Sequence, residues 1–318
     1  MTPLPPVITL EEHYAAPNLL ALRPLDEFSY VLPKLIDLDE ERITDMDAGA
    51  VTLQVLSHVA TAVPSPDLAR STNDELYAAI QKHPKRFAAF AILPMADPSD
   101  AAAELSRATK DLHFVGALID NHLDGRFYDD VFFWPVFERA QELDVPIYIH
   151  PTFPAENTKQ QYQGNYPEST AYMLGIAGWG WHADTGLHIL RLFASGLFDK
   201  FPRLKIIIGH MGELLPFQLD RIVPISERWG NQRGLRQVWR ENIWVTTSGM
   251  FSLAPLACLL KMSPVKHVLF SIDYPFSKNE TGKQFLEEIR KSGLVSEDDF
   301  EGIAYKNAEQ LLKVKAAQ

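Results

Sequence analysis

Eight short apolar segments alternate with stretches of helical periodicity along almost the whole chain, and this alternation limits the fold more than any other feature. The apolar segments cover residues 7–14, 51–58, 86–93, 114–121, 146–150, 205–210, 243–249 and 267–273. Helical spacing recurs at residues 39–48, 66–84, 98–109, 131–143, 185–194, 213–228, 252–262 and from about 279 onward. Continuous apolar runs are typical of strands buried on both faces of a parallel sheet. Eight such βα units predict an α/β fold with right-handed crossovers, closed into a (β/α)8 TIM barrel.

An open, doubly wound sheet is the alternative architecture. No Gly-x-Gly-x-x-Gly motif follows any of the strands, which disfavours a dinucleotide-binding version of that fold. No change in composition marks a domain boundary, so residues 1–318 are expected to form one domain. Two long segments without clean periodicity, residues 15–38 and 153–183, are expected to be functional loops inserted after strands one and five.

Composition narrows the range of partners. The formal net charge is −11 and no cluster of basic residues stands out, so a nucleic acid partner is not expected. No apolar run reaches about 18 residues, so no membrane span is expected. There is no basic segment followed by an apolar one at the N-terminus, which indicates no signal peptide. The single cysteine, Cys258, lies in an apolar run and is interpreted as a packing residue, which fits a cytoplasmic protein.

Several strands end in acidic or imidazole side chains with no turn residue before them. The first ends in Glu11, Glu12 and His13, and later ones end in His150, His210 and Asp273. In a parallel barrel the carboxyl ends of all strands meet at one mouth, where the chemistry of this fold takes place. Imidazoles and carboxylates together suit a divalent ion such as Zn²⁺ or Mn²⁺, and they also suit an acid–base cluster. Any one of these residues alone is equally well explained as an ordinary hydrogen-bonded strand end.

Four motifs at these strand ends together resemble the amidohydrolase superfamily. They are Glu11-Glu-His13, His150-Pro151, His210-Met-Gly-Glu213 and Asp273-Tyr-Pro-Phe276. More narrowly, the set is similar to a decarboxylase branch that includes γ-resorcylate, 2,3-dihydroxybenzoate and 5-carboxyvanillate decarboxylases. The resemblance covers nearly the whole chain, from Glu11 to the region of Asp273.

The resemblance implies one divalent metal ion, held by Glu11, His13, His150 and Asp273. Zn²⁺ is the expected ion, with Mn²⁺ and Mg²⁺ as alternatives. Hydrolytic amidohydrolases usually end their first strand in His-x-His, whereas this chain has Glu11 and His13 at that place, as the hydroxybenzoate decarboxylases do. The same resemblance makes Asp273 the proton donor and His210 the catalytic histidine.

The resemblance, together with the distance from His210, assigns two further residues. Glu213 falls three residues later, where it would orient His210 or simply place a negative charge at a helix N-terminus. Arg221 falls eleven residues later, where the family has an arginine near the substrate. A guanidinium group there would suit a carboxylate, and the alternative is a solvated helix arginine.

The second insertion is rich in aromatic side chains, and two uses for them remain open. They are Tyr162, Tyr166, Tyr172, Trp179 and Trp181, with His182 beside them. Aromatic rings over a barrel mouth could wall a planar ring, with Trp181 and Phe276 as the substrate-binding candidates, or they could pack between subunits. The resemblance and these loops together predict a homodimer or homotetramer.

The expected function is therefore non-oxidative decarboxylation of a small aromatic carboxylic acid of the ortho-hydroxybenzoate type, which releases CO₂ and a phenol. The alternative is metal-dependent hydrolysis of a lactone or an amide. Glu11 in place of a histidine disfavours that alternative. A barrel that has kept the metal ligands without activity is a third reading, which the intact ligand set disfavours.

Overall fold

The computed structural model describes residues 3–22, 28–59, 61 and 65–316. Its eight strands are β1 (Ile8–Tyr14), β2 (Leu53–His58), β3 (Phe87–Ala89), β4 (Ala117–Asp120), β5 (Ile147–His150), β6 (Ile206–Ile208), β7 (Ile243–Thr246) and β8 (Val268–Leu269). All eight are shorter than the apolar runs that predict them, in part because the last residues of several runs leave the ladder to form the barrel mouth.

The strands close into a barrel. All pairs along β1-β2-β3 and along β4-β5-β6-β7-β8 are parallel. A bridge between Ala91 and Ala117 joins the third strand to the fourth, and a bridge between Leu10 and Ser271 joins the eighth to the first. The predicted (β/α)8 barrel is thus confirmed, and an open sheet is excluded.

Helices follow the strands and cover the outside of the barrel. They are α1 (Pro17–Leu20), α2 (Leu32–Ile36), α3 (Glu40–Ala48), α4 (Pro66–Ile80), α5 (Pro98–Lys110), α6 (Trp134–Leu143), α7 (Glu168–Gly175), α8 (Gly180–Ala194), α9 (Leu197–Lys200), α10 (Leu215–Ser226), α11 (Leu235–Asn242), α12 (Leu253–Met262), α13 (Asn279–Ser292), α14 (Glu297–Glu301) and α15 (Asn307–Leu312). Short 3₁₀ segments occupy Val131–Phe133, Glu156–Tyr162 and Val265–His267, and Gly302–Lys306 is a π-helix. Among the described helices, none is long and apolar enough to cross a bilayer.

The barrel interior is filled at the end opposite the mouth. Alternate strand residues such as Ile8, Leu10 and Ile207 point inward and form one buried cluster with the last helix, α15, through Leu311 and Leu312. Period-two alternation explains why Ile8 and Leu10 share this face. Because apolar packing closes the bottom of the barrel, the polar strand ends are confined to the other mouth.

The two insertions contain more helix than the sequence indicates. The structure places α1 and α2 in the described part of residues 15–38; residues 23–27 lie outside the described ranges. The second insertion contains the 3₁₀ segment, α7 and the first turns of α8. The helix indicated from residue 185 begins earlier, at Gly180, so Asp184 lies inside α8. Trp179 occupies the N-cap position, and its side chain makes no capping hydrogen bond.

Candidate active site at the barrel mouth

The site is built from residues with unusual backbone conformations. Glu11, His210, Glu213 and Asp273 have φ angles of 62°, 49°, 51° and 70°, in the left-handed region that side chains other than glycine seldom adopt. Strained backbone of this kind clusters at functional sites, where the surrounding structure enforces it. Here it turns the side chains that end β1, β6 and β8 toward a common point.

Glu11 lies at the centre of that point and is fully buried. Its Oε2 accepts a hydrogen bond from the hydroxyl of Tyr148, which in turn lies 2.9 Å from Oγ1 of Thr246. Burial raises the pKa of Glu11, but the nearby His210, His150 and His13 more than offset this and hold it well below its usual range. The carboxylate is therefore charged. The close approach also needs Gly209, because a Cβ there would lie 2.7 Å from Oε2 of Glu11.

Two imidazoles direct Nε2 toward carboxylates at this point. Nε2 of His150 lies 3.1 Å from Oε1 of Glu11, and Nδ1 of His150 donates to the carbonyl oxygen of Pro151 at 2.6 Å. Nε2 of His13 lies 3.3 Å from Oδ1 of Asp273. Burial lowers the pKa of His13, which favours the neutral ring that ligates metals. Burial also opposes a charge on His150, but the short contact with Glu11 and the Glu11 charge raise its pKa, so the Glu11 carboxylate stabilises a positive charge at this point.

These atoms fit one divalent ion. Two ligand atoms about 2.1 Å from an ion and at right angles to each other are about 3.0 Å apart, close to the two separations just given. Glu11, His13 and His150 offer ligand atoms within 4.8 Å of one another. Nε2 of His150 and Oδ1 of Asp273 lie near buried Oε1 of Glu11 and Nε2 of His13, but within the described residues neither contact has the geometry of a hydrogen bond. A buried charged oxygen without a hydrogen bond is costly, and a bound cation removes that cost.

Glu12 holds the backbone on both sides of Asp273. Its Oε1 accepts from the amide of Ile272 at 3.0 Å and from Oγ of Ser271 at 3.2 Å, and its Oε2 accepts from the amide of Tyr274 at 3.1 Å. Burial raises the pKa of Glu12 to about 8, although these hydrogen bonds oppose the shift. Of the two adjacent glutamates, Glu11 thus faces the mouth, whereas Glu12 fixes the seam between β1 and β8.

His210 and Glu213 form a buried pair next to the metal-ligand cluster. Nδ1 of His210 donates to Oε1 of Glu213 at 2.8 Å, and Nε2 of His210 lies 3.7 Å from Oε1 of Glu11. Burial lowers the pKa of His210, but the charges of Glu213 and Glu11 raise it to about 10. Burial raises the pKa of Glu213, but His210 and His182 lower it to about 2. Glu213 therefore contacts His210 directly, as expected if it orients that ring.

A cavity of about 230 Å³ opens above these groups. Phe276 and Trp181 line it, as predicted for a substrate wall. Ring centroids of Phe276 and Phe28 lie 5.0 Å apart, and those of Trp181 and Phe153 lie 5.8 Å apart, both in edge-to-face contact. The remaining lining residues are His13, Tyr30, Val59, His150, Tyr172, Met173, Ile176, Ala177, His210 and Asp273. The cavity is thus polar at its base and mainly apolar and aromatic above it.

Glu11 and Glu213 contact residues that line this cavity, whereas the predicted site residue Arg221 does not reach it within the described part of the chain. It is exposed on α10 and is not among the residues that line the cavity within the described part of one chain. Leu219, two positions earlier, is buried. Two residues correspond to about 200° of rotation around a helix, which turns Arg221 to the opposite side. Its predicted contact with a substrate carboxylate is therefore not supported within a single chain.

Three residues of the site carry no assigned role in the sequence-based interpretation. Tyr148 binds Glu11, Glu12 holds the backbone beside Asp273, and His182 binds Glu213. A signal for Tyr148 does exist, because it lies two residues before His150 on β5 and must share its face of the strand. The contacts of Glu12 and His182 join segments far apart in the sequence and have no local signal.

Comparison with known proteins places these features in context. A family model described as amidohydrolase matches residues 25–314. Decarboxylase orsB of Emericella nidulans is 49% identical over 323 residues, which cover 98% of each protein. A γ-resorcylate decarboxylase from a Rhizobium species is 35% identical over 98% of this chain and 99% of that enzyme. A solved dihydroxybenzoic acid decarboxylase from a Polaromonas species, with bound manganese and the inhibitor 2-nitroresorcinol, has a TM-score of 0.87 at 33% identity, covering 99% of this chain and 98% of that one.

Proposed function

The chain belongs to the amidohydrolase family, and we propose that its Glu11, His13, His150 and Asp273 hold one divalent ion at which an ortho-hydroxybenzoate loses CO₂. The enzyme is a metal-dependent decarboxylase of aromatic acids, a carboxy-lyase. One observation carries the proposed site: buried ligand atoms of Glu11 and His13 that make no hydrogen bond lie beside Asp273, at the base of an aromatic cavity.

The bound ion would act as a Lewis acid that polarises the phenolic and carboxylate oxygens of the substrate. Loss of CO₂ directly from an arene would leave an aryl carbanion, which is too high in energy. Asp273 avoids this by delivering a proton to the ring carbon that bears the carboxyl group. The O–H bond of protonated Asp273 breaks as a pair of ring π electrons forms the C–H bond. The C–C bond to the substrate carboxylate then breaks, and its electron pair returns to the ring. Aromaticity is restored, CO₂ leaves, and solvent reprotonates Asp273.

The other residues prepare this step. The raised pKa of His210 keeps its imidazole positively charged, so its Nε2 can stabilise negative charge that develops on the phenolic oxygen. Glu213 keeps that ring in place through the hydrogen bond to Nδ1. Phe276 and Trp181 enclose the planar ring and exclude water from it, which strengthens every electrostatic contact at the base of the cavity.

Two imidazoles and two carboxylates suit several divalent ions. The expectation of Zn²⁺ remains a prediction, and the related decarboxylase that contains manganese favours Mn²⁺. Protein stripped with a chelator and reloaded separately with Zn²⁺, Mn²⁺ or Mg²⁺ would identify the ion that gives the highest kcat.

A substrate screen tests the reaction. Purified protein loaded with Mn²⁺ is incubated with salicylate, 2,3-dihydroxybenzoate, 2,6-dihydroxybenzoate and 5-carboxyvanillate, and CO₂ release is measured. We expect release from at least one ortho-hydroxy acid and none from the matching para-hydroxy acid, which cannot offer adjacent phenolic and carboxylate oxygens. Hydrolysis of an aryl lactone without any CO₂ release would instead support the hydrolase alternative.

We also propose that the chain assembles into a homodimer or homotetramer. Large apolar side chains are exposed on the elements beside the cavity, including Tyr172, Met173 and Trp179 around α7 and Phe217 and Ile225 on α10. Phe217 is 81% exposed, which is unusual for a phenylalanine. Light scattering at micromolar concentration should give at least twice the mass of one chain, and a monomer at that concentration would contradict the proposal.

A further inference from the structure

His182 lies between the segment that covers the cavity and the buried pair formed by Glu213 and His210. It stands in the first turn of α8, which spans Gly180–Ala194, and its side chain is 14% exposed. Its Nδ1 lies 2.7 Å from Oε2 of Glu213, and its Nε2 lies 3.1 Å from the carbonyl oxygen of Ala177. Ala177 itself lines the cavity.

Glu213 is therefore held from two sides. His210 donates to one carboxylate oxygen at 2.8 Å, and His182 binds the other. The two imidazole rings are edge-to-face, with centroids 4.8 Å apart. Because the Glu213 side chain is completely buried, no solvent can replace a lost partner at either oxygen. With both oxygens engaged, the carboxylate cannot rotate, and the ring of His210 is fixed with it.

Each ring nitrogen of His182 faces an oxygen atom that accepts hydrogen bonds. Both of its partners, a carboxylate and a backbone carbonyl, can only accept hydrogen bonds. The ring can therefore donate to either partner, and its position joins the covering segment at Ala177 to the base of the site at Glu213.

A second metal ion is the rival explanation, since His182, His210 and Glu213 offer ligand atoms within 4.8 Å of one another. The hydrogen bonds disfavour it. Each oxygen of Glu213 already faces a ring nitrogen at hydrogen-bond distance, and the remaining nitrogen of His182 faces a carbonyl oxygen. None of these three residues has a buried polar atom left without a hydrogen-bond partner in the described part of the chain, in contrast to Glu11 and His13.

We propose that His182 is a positioning residue of the decarboxylation: it locks Glu213, and through Glu213 it keeps Nε2 of His210 directed at the reacting ring. It also links this orientation to the docking of the segment that carries Ala177 and Trp181 over the cavity. The inference rests on the proposed function, because the reacting ring is that of the hydroxybenzoate.

Two substitutions separate positioning from simple packing. In His182→Asn, the side-chain amide can still donate to Glu213 from near the place of Nδ1, but it loses the contact with Ala177. In His182→Leu, the ring is replaced by an apolar side chain that donates nothing. We expect His182→Leu to lower kcat about 10–100-fold, the range typical of removing a residue that orients a catalytic group, with little change in KM or metal content. His182→Asn should restore most of that loss.

A matched control comes from the same helix. His188 is buried on α8, where it bonds Asn121 and Tyr128 and does not line the cavity. His188→Leu should lower Tm without lowering the kcat of the folded enzyme. If both His182 variants lose kcat only in proportion to a fall in Tm, or if His182→Leu keeps normal kcat, the positioning role is refuted. Loss of a metal ion from His182→Leu would support the rival second site.

A measurement without turnover distinguishes this inference from the proposed function. Histidine-selective ¹⁵N labelling reports the hydrogens on the ring nitrogens directly. We expect carboxylate-bonded Nδ1–H signals from both His182 and His210, with the His210 signal displaced in His182→Leu and restored toward its normal position in His182→Asn. An unmoved His210 signal would overturn the inference even if the wild-type enzyme releases CO₂. Absence of CO₂ release with these signals intact would contradict the proposed function alone.

Discussion

Asp273→Asn is expected to lower kcat about 10⁴-fold or more while the protein keeps its fold. Asparagine is nearly isosteric with aspartate and can still ligate a metal through its amide oxygen, but it cannot deliver a proton. General acid–base catalysis is typically worth about 10²–10⁴-fold, and the loss should reach the upper end because no uncatalysed route through an aryl carbanion competes. The left-handed backbone of Asp273 also suits asparagine, which tolerates that conformation better than most residues.

The measurement requires enzyme with a known metal content. Steady-state kcat of Asp273→Asn is compared with that of the wild type at equal occupancy of Mn²⁺, and wild-type turnover is repeated in deuterated solvent. If proton transfer limits turnover, deuterium should slow the wild-type enzyme. A fully loaded Asp273→Asn enzyme with near-normal kcat would leave Asp273 as a ligand only and would require another proton donor.

Glu11→Ala and His150→Ala are each expected to abolish tight binding of the divalent ion and, with it, CO₂ release. Glu11 supplies the buried negative charge that balances the cation. Nε2 of His150 lies 3.1 Å from Oε1 of Glu11. Without Glu11, the cation would lose the buried negative charge that offsets its own charge. Its surroundings would then include the imidazoles of His13, His150 and His210. Elemental analysis should fall from about one ion per chain to a small fraction of that.

A control histidine tests whether the effect is specific to the cluster. His122 follows β4 in the same half of the barrel, but its Nδ1 accepts a hydrogen bond from the amide of Gly125 and it does not line the active-site cavity. His122→Ala should keep its metal. Undiminished metal content in Glu11→Ala and His150→Ala would refute the ligand assignment, and loss in all three variants would indicate a general loss of structure.

Arg221, a predicted substrate-binding residue, does not line the cavity within the described part of one chain. Arg221 lies on the exposed side of α10, the same helix that carries Phe217 and Ile225. A spacing of eleven residues from His210 specifies a position in the chain but not a direction in space. The direction was set by which face of α10 packs on the barrel, and Leu215, Pro216 and Leu219 form that buried face.

The local sequence pattern was enough to predict the repeated βα units of this protein. Apolar runs of five to eight residues, separated by helical periodicity, determined the parallel barrel, since such strands must be covered on both faces. Once that fold is assumed, Glu11, His150, His210 and Asp273 must meet, because the carboxyl ends of parallel strands share one mouth. The sequence therefore determined the fold and which strand ends converge.

Tertiary structure decided what each neighbouring side chain does at that mouth. Glu11 and Glu12 are identical in type and adjacent in sequence, yet the left-handed turn at Glu11 and the irregular register of β1 against β2 send the two carboxylates to different tasks. Glu12 meets the backbone of Ile272 and Tyr274, about 260 residues away, only because β8 closes against β1. His182 meets Glu213 only because α8 begins at Gly180, five residues before the sequence indicates a helix. These contacts depend on barrel closure and on the packing of the covering segment, which no local periodicity encodes.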